Sequence, residues 1–388
     1  METLEKTMSQ SDFIRQLPFD GAPPSRRIPI FTAIHIDVPL AIGIFLLCLL
    51  GLFVVYSAGN SNMALVFRQA TFMGIGGLVM IIIAQFSPRT MERWSPWMFL
   101  MGILMLIAVL VMGSGAKGAQ RWLDLPGLPR FQPSEIMKLA VPMMVAWFLS
   151  KKILPPSTRP TLTALLIVVF PVLLIAKQPD LGTSILIGAS GLFIIFLAGM
   201  SYRLILFFAT CGLLAAPALW YSMHEYQRQR VMTFLSPESD PLGSGWNIIQ
   251  SKTAIGSGGF FGKGWLDGTQ SHLDFLPESS TDFIIAVYAE EFGFVGIIVL
   301  LSLYLFIVGR GLYISSQAQD SFSRLVAGSI TLTFFIYVFV NMGMVSGILP
   351  VVGVPLPLIS IGGTSIVTLL TGFGILMSIH THRKWLSQ

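Results

Sequence analysis

Ten apolar runs constrain this chain more than any other feature. They fall near residues 38–58, 66–86, 94–113, 134–150, 161–177, 182–200, 203–222, 282–309, 325–346 and 358–379. Several approach or exceed the ~18 residues that mark a membrane-spanning helix. Pro142, Pro171 and Pro217 lie inside such runs, which a bundle tolerates because neighbouring helices and water satisfy the freed backbone groups. Only 11% of the residues are charged and 54% are hydrophobic, where a soluble protein carries roughly a quarter charged residues. The chain reads as an all-α polytopic membrane protein of about ten transmembrane helices.

Residues 1–37 contain Arg15, Arg26, Arg27 and Pro23–Pro24 but no apolar core run. They are not a cleavable signal peptide and read as a flexible cytoplasmic tail before a membrane domain spanning 38–385, with 386–388 as a short end. Lys and Arg set the orientation. With the N-terminus inside, the inner segments hold Lys6, Arg15, Arg26, Arg27, Arg89, Arg93, Lys151, Lys152, Arg159, Arg203, Arg310, Arg324, Arg383 and Lys384, and the outer segments hold fewer. Both termini are then cytoplasmic, and 114–133, 177–181, 223–281 and 347–357 face outward. The net charge of +5 has its sources at helix ends, so it implies no nucleic-acid partner. Cys48 and Cys211 sit within apolar runs, where a thiol behaves as a small hydrophobe.

The segment 223–281 is too long for a simple connection. Its stretch "WNIIQSKTAIGSGGFFGKGW" carries aromatics and regular glycines, which predicts a structured loop folded over the outer face. "GSGGFFGKG" fails the Walker pattern, with Ser257 where the first Gly belongs and Gly264 in place of Ser or Thr. ATP binding is excluded there. The histidines at 35, 224, 272, 380 and 382 are scattered, and His380 with His382, two apart, has poor geometry for a helix-borne zinc site.

Ionisable groups inside spans are rare and face a cavity or a partner. Glu135 and Lys138, three apart in "QPSEIMKLAVP", share a helix face and are close enough to pair. They either brace the bundle or line a cavity, and one pair can do both. In "KQPDLGTS", Lys177 and Asp180 flank an outer turn, and Asp180 also suits a helix N-cap. Arg121, Arg130 and Lys263 lie on the outer side against the positive-inside trend. As a group they suit anion binding, since a guanidinium holds phosphate oxygens bidentately.

The sharpest problem is "LPESSTDFIIAVYAEEFG", 276–293, which carries Glu278, Asp282, Glu290 and Glu291 around the start of an apolar run. Glu290 falls about 12 Å beyond Asp282 along a helix. Thr281 is placed to cap that helix and Asp282 to favour its dipole. The alternative is that Asp282 is a catalytic carboxylate at the mouth of the bundle. Glu290 and Glu291 read as structural acids.

Six segments carry a resemblance: "GAQRWL", "FQPSEIMKL", "KQPDLGTSIL", "GWNIIQSKTAIGSGGFFGKGW", "GTQSHLDFLPESSTDFIIAVYAEEFG" and "PLPLISIGGTS". Their order and spacing resemble the shape, elongation, division and sporulation (SEDS) membrane proteins across about 38–385, with the elongation branch nearer than the division branch. The resemblance implies a peptidoglycan glycosyltransferase that polymerises lipid II on the outer face of the bacterial cytoplasmic (inner) membrane. It implies Asp282 as the essential residue and Glu135, Lys138, Arg121 and Asp180 as functional positions. Its implied partners are a class B penicillin-binding protein, which is a transpeptidase, and other elongation-complex membrane proteins. Two positions depart from the family pattern: Ser280 where His is frequent, and Ile361 where Tyr is frequent.

The implied chemistry gives the acids a purpose. Forming a β-1,4 glycan from an α-linked lipid pyrophosphate inverts the anomeric centre, which needs one base and a stabilised leaving group. Asp282 is the expected base. Arg121, Lys138, Arg130 and Lys263 are the expected pyrophosphate partners, with Lys177, Asp180, Glu135 and Glu278 lining the substrate site. A divalent cation, Mg²⁺ or Mn²⁺, would be held partly by substrate oxygens; no organic cofactor is expected. The rival readings are a lipid II flippase using the same charged cavity and a non-catalytic scaffold.

Overall fold

The computed structural model describes residues 34–116, 119–123, 132–178, 180–223, 225–239, 244–269 and 279–382. Each expected span is a helix: α1 (Val38–Ala58), α2 (Met63–Ala84), α3 (Pro88–Met112), α4 (Pro133–Ser150), α5 (Thr158–Lys177), α6 (Leu181–Leu197) and α7 (Tyr202–Ser222) in the first part. After α8 (Glu225–Leu235) and α9 (Ser244–Ser257) come α10 (Ile284–Ser316), α11 (Ser321–Val345) and α12 (Gly363–Thr381). Among the described residues, seven helices are long and apolar enough to cross a membrane, and α6 and the first part of α7 are shorter apolar helices. This is a multi-span helical membrane protein. One departure is a hairpin that the sequence reading does not predict, β1 (Ser114–Ala116) paired antiparallel with β2 (Ala119–Trp122). The expected tail and C-terminal end lie outside the described residues, apart from 34–37.

Helix starts follow from local chemistry. Asp37, Asn62, Asp180 and Asp320 are N-caps whose side-chain oxygens accept amide hydrogens from Leu40, Ala64, Thr183 and Ser323 at 2.9, 3.0, 3.4 and 2.8 Å. Pro133 follows the Gln132 cap of α4, where a missing amide costs nothing. The packing runs α2 on α12, α10 on α11, α3 on α4, and α6 on both α5 and α11. At Gly374 of α12 a Cβ would stand 2.6 Å from the Met80 carbonyl of α2, so only glycine permits that close crossing. Phe45, Phe67, Trp97, Leu166 and Leu206 point outward. An apolar rim of that extent suits lipid, not water.

The described residues of the long segment after α7 are structured. They form α8, a 3₁₀ turn at Pro237–Ser239 and α9, which packs on α10 and α11. Helix α10 is broken at Gly293 (φ 63°, ψ −160°), a conformation that L side chains rarely adopt. The break is filled by main chain. Lys263 and Gly264 amides donate to Glu290 and Glu291 carbonyls at 3.0 Å each, and Phe294 and Val295 amides donate to Gly259 and Phe260 carbonyls at 3.0 and 3.1 Å. The string that mimics a phosphate loop is therefore a splint for a broken helix.

At the other end of the bundle, Asp37 accepts from Arg310 Nε at 3.0 Å and Nη2 at 2.6 Å, and lies 2.7 Å from His380 Nδ1. His35 stacks on His382 with ring centres 3.9 Å apart and lies 3.2 Å from Thr381 Oγ1. Three of the histidines that looked scattered are thus neighbours. His224 and His272 lie outside the described residues.

Candidate functional site

Helix α11 carries the axis of the site. Its Tyr337 and Asn341, four residues apart, share a face and reach two different charged groups. The ammonium of Lys138 lies 5.3 Å from the Tyr337 ring centre and 2.6 Å from Glu135 Oε1. That pair stands in the first turns of α4 and is nearly enclosed, with side-chain exposures of 12% for Lys138 and 7% for Glu135. The Asn341 amide donates to the Asp282 carbonyl at 2.9 Å and to the Val354 carbonyl at 2.7 Å. One helix face therefore links the α4 ion pair to the start of α10.

Asp282 itself precedes the helix. The N-cap is Phe283, fully buried and without a side-chain capping hydrogen bond. This corrects the expectation that Thr281 caps α10. Phe283 is drawn into the core, so the helix starts later than the polar residues suggest. The half-buried Asp282 carboxylate faces Gly353 (φ 77°), where a Cβ would stand 3.4 Å from Oδ2.

The strand of loop carrying Gly353 is pinned along its length. Arg230 of α8 donates to the Val351 and Val352 carbonyls at 3.3 and 3.1 Å. Tyr304 donates to the Pro357 carbonyl at 2.7 Å, and Gln69 to that of Ser360 at 3.0 Å. The Ile361 amide donates to the Ser280 carbonyl at 3.1 Å. Ser280 and Ile361 are the two departures from the family pattern, and they meet. Their joint is main chain to main chain, so neither substitution breaks it.

Asp180 joins from α6. It caps that helix and accepts from Gln132 Nε2 at 3.0 Å, next to the start of α4, and it lies within electrostatic reach of Tyr337. The cap therefore also ties the start of α6 to the start of α4. Several polar atoms here are buried without a hydrogen-bond partner among the described residues: Ser134 Oγ, Glu135 Oε2 and Thr333 Oγ1. Native interiors rarely leave such groups orphaned, so their clustering points to a polar ligand or water. Beyond Lys138 the lining turns apolar, through Leu139, Pro142, Ile330, Phe334, Leu369 and Phe373. A charged head and an apolar tail both find surfaces here.

Other sequence candidates fall elsewhere. Lys263 donates to Glu290 Oε1 at 2.7 Å and to Thr269 Oγ1 at 2.7 Å. Its partner is the fully buried Glu290, which also accepts from the Thr269 amide at 2.9 Å. Glu291 accepts from Ser57 and from the Leu266 amide. Both glutamates thus tie the loop to α10. Lys177 is exposed at the end of α5, while Asp180 is buried. Arg121 lies in β2 and only its backbone is described. Arg130 and Glu278 lie outside the described residues. Asn341, Tyr337 and Arg230 were not singled out from sequence. Only Arg230 offered a signal, as a cation in the long segment expected to face outward. Among the described residues no group of three or more His, Cys, Asp or Glu side chains is placed to hold a metal.

The FtsW/RodA/SpoVE family model, described as cell cycle protein, matches residues 34–385. The chain is 53% identical over 356 residues to peptidoglycan glycosyltransferase MrdB of Escherichia coli K12, covering 92% of this chain and 96% of that protein. It is 36% identical over 371 residues to a probable peptidoglycan glycosyltransferase FtsW of Trichlorobacter lovleyi, covering 91% and 95%. In structure it resembles a chain of a peptidoglycan synthase complex, solved for the coordination of polymerization and crosslinking, with a TM-score of 0.79, 29% identity and coverage of 90% and 98%. The crystal structure of Thermus thermophilus rod shape determining protein RodA aligns with a TM-score of 0.68, 27% identity and coverage of 90% and 98%.

Proposed function

This chain belongs to the FtsW/RodA/SpoVE family of cell cycle proteins and is a membrane-embedded peptidoglycan glycosyltransferase, and we propose that it extends glycan strands from lipid II with Asp282 as the base. The observation that carries this reading is the α11 face on which Tyr337 meets Lys138 and Asn341 meets Asp282. It holds the main chain of Asp282 and the Lys138 ammonium at neighbouring turns of a single helix, and a displacement from a pyrophosphate uses a base and a cation of that kind.

In the proposed reaction the acceptor 4-hydroxyl attacks the anomeric carbon of the donor. The new C–O bond forms as the bond to the pyrophosphate oxygen breaks, and the configuration inverts. Asp282 takes the hydroxyl proton. Lys138, oriented by Glu135, offsets the charge that develops on the leaving pyrophosphate. Arg121 and Arg130 are proposed to join it; Lys263, committed to Glu290, is not. The apolar lining beyond Lys138 receives the polyprenyl chain. The described residues do not form a cage for Mg²⁺ or Mn²⁺, so a divalent cation would rest chiefly on substrate oxygens.

The chain is proposed to lie in the bacterial inner membrane with both termini cytoplasmic, which puts Asp282 on the outer side. The proposed partners are a class B penicillin-binding protein, which crosslinks the strands, and other membrane proteins of the elongation complex.

The test is glycan synthesis from fluorescent lipid II by the purified chain, with and without its transpeptidase and with and without EDTA. Asp282→Asn should lose about 10²–10⁴-fold in rate while still folding and retaining its partner. Long strands made by that variant would remove Asp282 from the mechanism. Lipid translocation in sealed vesicles without any glycan product would favour the flippase.

A further inference from the structure

The loop that splints α10 carries a feature that the glycosyl transfer does not use. Phe260 and Phe261 stand at its tip, 59% and 80% exposed, with ring centres 5.0 Å apart. Phe260 lies 5.7 Å from Phe294 of α10. On the other side of the loop, Trp265 lies 5.8 Å from Phe53 and 5.7 Å from Tyr56 of α1. We propose that this aromatic tip is a membrane-interface anchor, seated at the boundary between lipid headgroups and acyl chains.

The argument for lipid rests on where α10 changes its surroundings. Ile284 through Glu291 are all buried in protein. From Phe294 onward the helix shows an exposed apolar face through Val295, Ile298, Leu305 and Tyr313. Phe294 to Tyr313 spans about 28 Å at 1.5 Å per residue, close to the ~30 Å of a bilayer's hydrocarbon core. The lipid boundary therefore falls at Phe294, the residue against which the tip is packed. The exposed face of α1, through Phe45, Leu49 and Phe53, reaches the loop from the other side. The tip is thus continuous with two lipid-facing helices.

Charge agrees with this placement. The loop turns its one described cation, Lys263, toward buried Glu290 and its rings outward, and its one acid, the exposed Asp267, follows Trp265 in sequence and is not at the Phe260–Phe261 tip. Trp and Tyr rings are enriched at that depth of the membrane, and Phe lies with Trp on the buried face of interfacial segments. The main-chain joint at Gly293 fixes the loop to the helix, so the anchor holds the splint and the helix break at one height.

Site-directed spin labelling of the full chain in lipid nanodiscs tests this. Phe261→Cys in a Cys48→Ser, Cys211→Ser background would carry the nitroxide, with Thr253→Cys on the exposed side of α9 as reference. The expected result is that the label at 261 collides with oxygen far more than with a water-soluble nickel chelate, and that the order reverses at 253. A label at 261 that meets the chelate as readily as the one at 253 overturns the proposal by placing the tip in water. A label shielded from both reagents overturns it too, because the tip would then lie against protein.

Discussion

Tyr337 and Asn341 lie one helical turn apart on α11, and between them they tie the Lys138–Glu135 pair to Asp282. Neither residue is charged, and in this account neither reacts with substrate. Their value is geometric, because a helix is the stiffest way to hold two groups from distant parts of a chain in register. The Asp282 carbonyl and the Val354 carbonyl share one amide, so the start of α10 cannot move without the loop beside it.

Asn341→Leu should therefore act on both stability and rate. It leaves two carbonyl oxygens without their donor, at about 1–3 kcal/mol each, and frees Asp282 to shift. A misplacement near 1 Å costs roughly a hundredfold in turnover. Thermal unfolding and polymerisation measured on the folded fraction separate the two effects. Full turnover by the folded protein would confine Asn341 to a packing role.

Lys138→Ala removes one member of a buried pair, which costs about 3–5 kcal/mol because Glu135 is left enclosed without its partner. Loss of activity in that variant alone is ambiguous. The double variant Glu135→Gln, Lys138→Met removes both charges and should recover most of the stability. Under the proposed mechanism it stays inactive, since nothing then meets the leaving pyrophosphate. Activity recovering together with the unfolding temperature would assign the pair to bracing the bundle.

The helices were legible because each needs an apolar run, and Asp37, Asn62, Asp180 and Asp320 mark starts through simple capping chemistry. The break at Gly293 was not, because the apolar run continues straight through it. Its cause lies in the glycine string around 258–264, whose partner in space is main chain and carries no side-chain signature. The start of α10 was misread for a related reason: Thr281 looks like a cap, but burial of Phe283 decides where the helix begins. In the site, Glu135, Lys138 and Asp282 stood out as charges next to apolar runs. Tyr337 and Asn341 did not, since a Tyr or an Asn inside an apolar helix looks the same whether it bridges a site or packs in a core. The meeting of His35 with His382 required folding the two ends of the chain together.

Lys263 gives a clean contrast between a loop brace and a substrate ligand. Lys263→Met removes the ammonium from buried Glu290, so the unfolding temperature should fall and protection of the 258–269 amides from hydrogen exchange should drop with it. The lipid II concentration for half-maximal rate should barely change in the folded protein. A large rise in that concentration at unchanged stability would return Lys263 to the pyrophosphate site.

The clasp that joins the entry of α1 to the end of α12 should loosen in acid. Burial pushes the Asp37 carboxyl up, but hydrogen bonds from His380, Arg310 and the Leu40 amide outweigh it and hold the group below its usual range. Its contribution is present above the ordinary value of 3.8 and is lost as pH falls through the lowered one. His35 is held below its ordinary 6.5, by burial first and by the facing His382 second. The folded state then favours the neutral imidazole. Below pH 6.5 the unfolded chain binds more protons at His35, and stability falls as pH is lowered. Both groups thus weaken the clasp on acidification, His35 first, with Arg310, His380, His382 and Tyr313 as the charged or titratable groups around them. Hydrogen exchange at 34–40 and 378–382 should speed up relative to the bundle core between about pH 7 and about pH 5, after correction for intrinsic rates. His35→Gln should flatten that dependence. Protection that holds or rises on acidification, or a His35→Gln profile identical to the parent, would rule out the stacked histidines as its source.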